Sequence, residues 1–226
     1  MGIGNLYLLS QLTALVLSFI LSFFVFIPVS VNHNEFKGHC LLYANGDWNK
    51  NTSQLSSVDW GPGSACNYSI FVGIVSMLLS LFYTVFFAIY LARQTDSSWL
   101  EAFITTIVTV AMTIMMFASA ANVSVGFKHW CDVVTSTDSN IASCELADFI
   151  DFYEDIGNID ASGFYTEMKL AEFGSWTSFL CWLFLSTTSV IKLIKFQQHE
   201  SFMTSVNRER ERLLQKVGHS SSDYAI

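Results

Sequence analysis

Four stretches of this chain carry no Asp, Glu, Lys or Arg over a length that can cross a bilayer: Met1–Asn34, Trp60–Ala92, Ala102–Phe127 and Phe173–Ile191. A helix needs roughly 20 apolar residues to traverse about 30 Å of hydrocarbon. Each stretch supplies such a run, over about 6–29, 69–92, 99–125 and 173–194. Charged residues make up 13% of the chain, about half the share of a soluble domain, so lipid is the expected solvent. The first run is longer than a signal-peptide core and lacks a basic leader, so it reads as a retained helix. The expected fold class is therefore an all-α membrane protein. A four-transmembrane-helix bundle occupies 1–195, with loops 30–68 and 126–172 and a tail from 196 to 226.

Charge gives the bundle a direction. The two long loops hold Lys37, Lys50, Lys128 and Lys169. The short turn after the second run holds Arg93, and the tail holds Lys192, Lys195, Arg208, Arg210, Arg212 and Lys216. The positive-inside rule puts the turn, the tail and both termini in the cytosol. The loops then face the oxidising side, where disulfides and glycans form. Cys40, Cys66, Cys131 and Cys144 all lie there, as does the sequon at Asn51. Four cysteines allow three connectivities. Cys40–Cys66 and Cys131–Cys144 are preferred because each closes a short loop within one segment. Cys181 falls inside the fourth run and reads as packing. Asn67 and Asn122 also begin sequons, but both hug the membrane.

The stretch DWGPGSAC (59–66) reads as the corner where the first loop turns into the second helix. Pro62 and its glycines cannot extend a ladder or a helix interior, and Trp60 is expected at headgroup level. Pro28 is expected to close the first helix. Cys40–Tyr43 reads as strand and Asn45-Gly46 as a hairpin turn, which gives a small disulfide-linked extracellular β-sheet. In the second loop, ADFIDFYEDIGNID (147–160) spaces Asp148, Asp151 and Glu154 three apart and reads as an amphipathic helix with a solvated acidic face. That face suits a basic partner better than calcium, because the spacing is not that of an EF-hand.

Small residues recur every four positions in the runs: Ser10, Ala14, Ser18 and Ser22; Ser76, Ser80, Thr84, Ala88 and Ala92; Thr105, Thr109 and Thr113. Such ridges let helices approach closely in lipid. Glu101 fits a capping box with Ser98. No phosphate loop, nucleophile elbow or H-E-x-x-H pair occurs, and the scattered histidines suggest no metal site. An enzyme is not expected, nor a cofactor. A net charge of −8 argues against nucleic acid.

The segments FKGHCLLY (36–43), DWGP with a cysteine four residues later (59–66), VSVGF…WCD (123–132), SCE (143–145) and AEFGSW (171–176) together resemble the transmembrane protein 179 family. The resemblance implies a claudin-like arrangement of four helices with both termini inside and a small extracellular sheet.

After Lys195 the tail reads as an amphipathic helix with Met203, Val206, Leu213, Leu214 and Val217 in one stripe. Glu209 through Leu213 and Leu214 resembles an acidic dileucine sorting signal for a clathrin adaptor. The final Tyr224-Ala225-Ile226 suits capture by a PDZ domain. The function expected is that of a multi-pass auxiliary or trafficking partner of a channel or receptor, at the plasma membrane and in endosomes. A claudin-like adhesion or barrier protein is the alternative, and a small channel using the Thr105–Thr113 ridge a second one.

Overall fold

The computed structural model of the chain describes residues 3–49, 54–93, 99–136, 141–149 and 163–222. In chain order these form helix α1 (Ile3–Glu35), strands β1 (Cys40–Asn49) and β2 (Gln54–Gly61), helices α2 (Gly63–Arg93) and α3 (Trp99–Val134), a 3₁₀ turn (Cys144–Phe149) and helix α4 (Phe164–Ser222). All four α-helices are long and apolar enough to cross a membrane. Only a helix or a closed barrel keeps every backbone group bonded in hydrocarbon, and the uncharged runs take the helical solution.

The helices outrun the lipid-length stretches. At 1.5 Å per residue, α4 with its 59 residues is about 88 Å long, nearly three times the hydrocarbon thickness. Residues expected as loop (164–172) and as a separate tail (196–222) therefore belong to one continuous helix. The uncharged run marks only the portion meant for lipid; helical hydrogen bonding has no reason to stop where charges begin.

Pro28 does not close α1, contrary to the expectation. It lies buried inside the helix, which continues to Glu35. A proline removes one donor, here the one that Phe24 would accept. The helix instead ends through Gly38 N–H on the His33 carbonyl (2.8 Å) and Lys37 N–H on the Asn34 carbonyl (3.0 Å). Lys37 sits at φ 52°. This is the paired 6→1 and 5→2 closure of a Schellman motif.

In the bundle α1 packs between α2 and α4, and α3 packs on α4; α2 and α3 also meet, but more sparsely than these pairs. The small-residue ridges supply the close contacts: Ser18, Ser22, Ser76 and Ser80 are fully buried, and Ala14, Thr105 and Thr109 nearly so. Ala88 and Ala92 face outward instead. Gly174 of α4 lies against the Phe24 carbonyl of α1, so close that a Cβ would stand 2.9 Å from that oxygen. That is the carbonyl Pro28 leaves without its helical donor. Large apolar side chains such as Phe82, Ile114 and Leu180 point away from the bundle, as lipid contact requires.

At one end a two-stranded antiparallel sheet caps the helices. Asn45-Gly46 is not a turn. Both residues lie inside β1, opposite Asp59 and Val58, and the connection between the strands falls at 50–53, outside the described residues. Cys40 pairs with Gly61 and Asn45 with Asp59, so Leu41–Ala44 stand opposite Trp60 alone. The extra residues bulge out of the ladder, with Tyr43 at φ 65°, and drive Leu41, Leu42 and Ala44 into the core. Each buried leucine contributes roughly 2 kcal/mol by area.

Gly61 is where the sheet crosses this bulge. A methyl there would fall on the Leu42 carbonyl, whereas one at Gly63 would meet nothing. Gly61→Ala is expected to cost roughly 3 kcal/mol or more, the upper end of overpacking, and Gly63→Ala to be near neutral. Thermal unfolding of the two purified variants in mild detergent checks this; equal midpoints would refute it.

Candidate functional site: the tethered cap and the extended fourth helix

Two regions lie beyond the lipid-length runs, and each offers side chains for recognition. The first is the cap. Cys40 is bonded to Cys66 and Cys131 to Cys144, with Cα atoms 5.8 and 5.2 Å apart. One bridge ties the start of β1 to the first turn of α2. The other ties the end of α3 to the 3₁₀ turn. Both are anchored on helices, so the cap is held to the bundle at two points.

Trp60, expected at a membrane border, packs into the cap. It stacks on His39 with ring centroids 5.0 Å apart and meets Phe36 edge-on at 5.8 Å. His129 faces the Tyr43 ring at 6.5 Å. His39 and His129 are thus both used in aromatic contacts. Among the described residues no three His, Cys, Asp or Glu side chains converge as metal ligands. Trp130 is fully buried beneath the sheet with Phe36, Leu41, Leu42 and Phe164.

The 3₁₀ turn begins the acidic stretch. Its Asp148 accepts the Tyr165 backbone N–H at 3.0 Å, at the start of α4. A carboxylate there serves as a helix cap and suits the positive end of the helix dipole. The α-helix expected over 147–160 is a 3₁₀ turn as far as Phe149, and Asp151 and Glu154 lie outside the described residues.

Two acids were not singled out by sequence reasoning. Glu35 ends α1 and Glu167 lies in the first turn of α4. Both stand above the uncharged runs, beyond the lipid-length segments. Asn32, 1% exposed, shares their junction. The Glu167 carboxyl is raised from its ordinary range to about 7, first by burial and then by the like charge of Glu35. Asn32 opposes the shift and Asp148 adds to it. Glu35 is the first charge after 34 uncharged residues, the one signal that pointed to it.

The opposite end of the bundle is also polar inside. Gln11, Glu101, Thr105, Ser189 and Lys192 line a cavity of about 10 Å³. Gln11 donates to Thr188 Oγ1 at 3.1 Å, and Tyr90 donates from α2 to Glu101 at 2.8 Å. Ser98, the expected capping partner of Glu101, lies outside the described residues. Two of the ridge threonines return their hydroxyls to their own helix: Thr109 to the Thr106 carbonyl at 3.1 Å and Thr113 to that of Thr109 at 2.7 Å.

The second region is the extension of α4. Met203 and Val206 are about half exposed, at 48% and 44%, and Glu209 is exposed beyond them. Leu213 and Leu214 continue the same helix; their side chains, like Tyr224 and Ile226, lie outside those described. Asn51 lies outside the described residues too. Asn122 donates to the Ala65 carbonyl at 2.8 Å and to Ser69 Oγ at 3.1 Å, so that sequon's amide joins α3 to α2.

Comparison with known proteins agrees with this geometry. A model of the transmembrane protein 179/179B claudin domain matches residues 7–214. The chain is 23% identical to transmembrane protein 179B of Danio rerio over 176 residues, covering 76% of this chain and 75% of that relative. No solved structure matches.

Peptide mapping under non-reducing conditions should recover Cys40 with Cys66 and Cys131 with Cys144, and a Cys40–Cys131 peptide would contradict the tethers. Replacing either pair by serine should lower stability by roughly 2–5 kcal/mol, read as a fall in the thermal midpoint.

Proposed function

The chain belongs to the transmembrane protein 179/179B claudin-domain family, and on that premise we propose that it is a non-enzymatic partner of another integral membrane protein. Its role would be that of an auxiliary or trafficking subunit of a channel or receptor. The observation that carries this reading is α4. One helix runs from the disulfide-tethered cap through the bundle into an extension that ends in Ser222. A partner gripped at either end is thereby mechanically joined to the other side of the membrane.

The charge distribution supports an orientation with the cap outside and both termini in the cytosol, because Lys and Arg are concentrated in the extension and the α2–α3 turn. The extension then presents Met203, Val206 and Glu209 to cytosolic factors, with the dileucine at 213–214 and the terminal Tyr224-Ala225-Ile226 as sorting and PDZ signals. Residence at the plasma membrane and in endosomes follows from this reading. So does a glycan at Asn51.

Hydroxyls returned to their own helices at Thr109 and Thr113 favour close helix packing over a polar pore. Adhesion between cells is the second reading, favoured by the claudin domain. Proximity labelling from the α4 extension, followed by native purification in mild detergent, separates the two. A reproducible integral membrane partner from singly expressing cells supports the auxiliary role. Recovery of the monomer alone, with enrichment at borders where both neighbouring cells express the chain, would replace it with adhesion.

A further inference from the structure

The junction of α1 and α4 beneath the cap holds polar groups that the proposed role leaves unused. Asn32 is almost wholly buried. Its side chain faces the Glu167 carboxyl and favours the ionised form, and Glu167 Oε2 is itself buried. Glu35 approaches from the last turn of α1 and Asp148 from the 3₁₀ turn. Among the described residues, the charges acting on Glu167 are thus of its own sign.

The surrounding cations are directed elsewhere. Lys169 bonds Glu172 at 2.9 Å and lies over the Phe127 and Tyr165 rings. On α3, Lys128 and Asp132 are exposed, and His129 faces Tyr43. Lys37 and Glu145 are exposed, while His33, next to Asn32, is half-buried.

We propose that Asn32, Glu35 and Glu167 form a proton-binding latch between α1 and α4, closed when the two carboxyls share a proton and loosened when both are ionised. A proton turns Glu167 into a donor as well as an acceptor, which can bond the neighbouring carboxylate or the Asn32 amide oxygen. Its loss leaves two like charges in a partly buried site, where repulsion is weakly screened. The first turn of α4 then moves with whatever hangs on it. Asp148 attaches the 3₁₀ turn to that turn, and Cys131–Cys144 attaches the same element to α3. The latch thereby couples proton uptake to the geometry of the cap. With the orientation proposed above, the site meets near-neutral fluid at the cell surface and acid in the endosome. The device itself does not depend on any partner.

Glu167 holds its proton more tightly in the native state than in the unfolded chain. The native state then binds more protons between the ordinary carboxyl range and about 7, so stability is greatest in acid and declines as pH rises through that interval. The test uses the full chain in nanodiscs between about pH 5 and about pH 8. Thermal midpoints should fall through neutrality. Hydrogen exchange of the peptide covering 163–170, corrected for intrinsic rates, should rise roughly threefold or more. Glu167→Gln should abolish both steps and behave like the acid form at all pH values. Glu35→Gln should move the steps to lower pH. His33→Gln should leave them in place. A step that survives Glu167→Gln, disappears in His33→Gln, or is absent from the natural sequence overturns the latch. Failure to find a membrane partner would not affect these readouts, so the latch and the auxiliary role stand or fall separately.

Discussion

Hydrocarbon offers no hydrogen bonds, and that one constraint shapes the whole molecule. Backbone groups are satisfied within helices, so side-chain donors must find partners inside the bundle. The buried Trp182 indole of α4 donates to Ser76 Oγ of α2 at 2.9 Å. Gln11 joins α1 to α4 through Thr188, and Asn122 joins α3 to α2 through Ala65 and Ser69. Tyr68 of α2 reaches the Met115 carbonyl of α3 at 3.2 Å. These bonds cross from helix to helix, and lipid alone gives little reason for apolar helices to associate. The α2–α3 pair shows the alternative. It has far fewer close backbone approaches than α1–α2, α1–α4 or α3–α4, and the side chains of Asn122 and Tyr68 span the seam.

The cap obeys different physics. It is too small to fold alone: two strands rarely persist in water without a partner surface. Its stability is borrowed from the bundle in three ways. The bulge in β1 inserts Leu41, Leu42 and Ala44 above the helices, the disulfides shorten the unfolded chain, and Asp148 bonds to the start of α4. Motion at the top of α4 therefore reaches the cap directly.

The spans were legible because absence of charge over membrane length is a signal with few rivals. Helix ends were less so. Pro28 is a strong local stop, yet one lost hydrogen bond is outweighed by packing between α2 and α4, and the end was set by the Lys37-Gly38 backbone instead. Asn45-Gly46 is a strong turn signal that the Leu41–Ala44 bulge displaced, since burying two leucines is worth more than a local turn preference. Trp60 reads from sequence as a border residue, whereas its ring contacts with His39 and Phe36 depend on the hairpin's path and are not legible there. The junction of Glu35 and Glu167 was invisible because 131 residues separate the two acids; only the crossing of α1 and α4 unites them. The tail's helical character was readable from its stripe, whereas its continuity with α4 was not, because a charged segment after a lipid run reads equally well as a new element.

The proposed orientation puts the hairpin and the α4 extension on opposite sides of one membrane. Single cysteines placed at Ser57 in β2 and at Ser201 in α4, both exposed, should differ in their reaction with a membrane-impermeant maleimide on intact cells. Labelling at 57 before permeabilisation and at 201 only after it is the predicted result. Labelling at 201 on intact cells with 57 protected, or equal labelling of both, would contradict it.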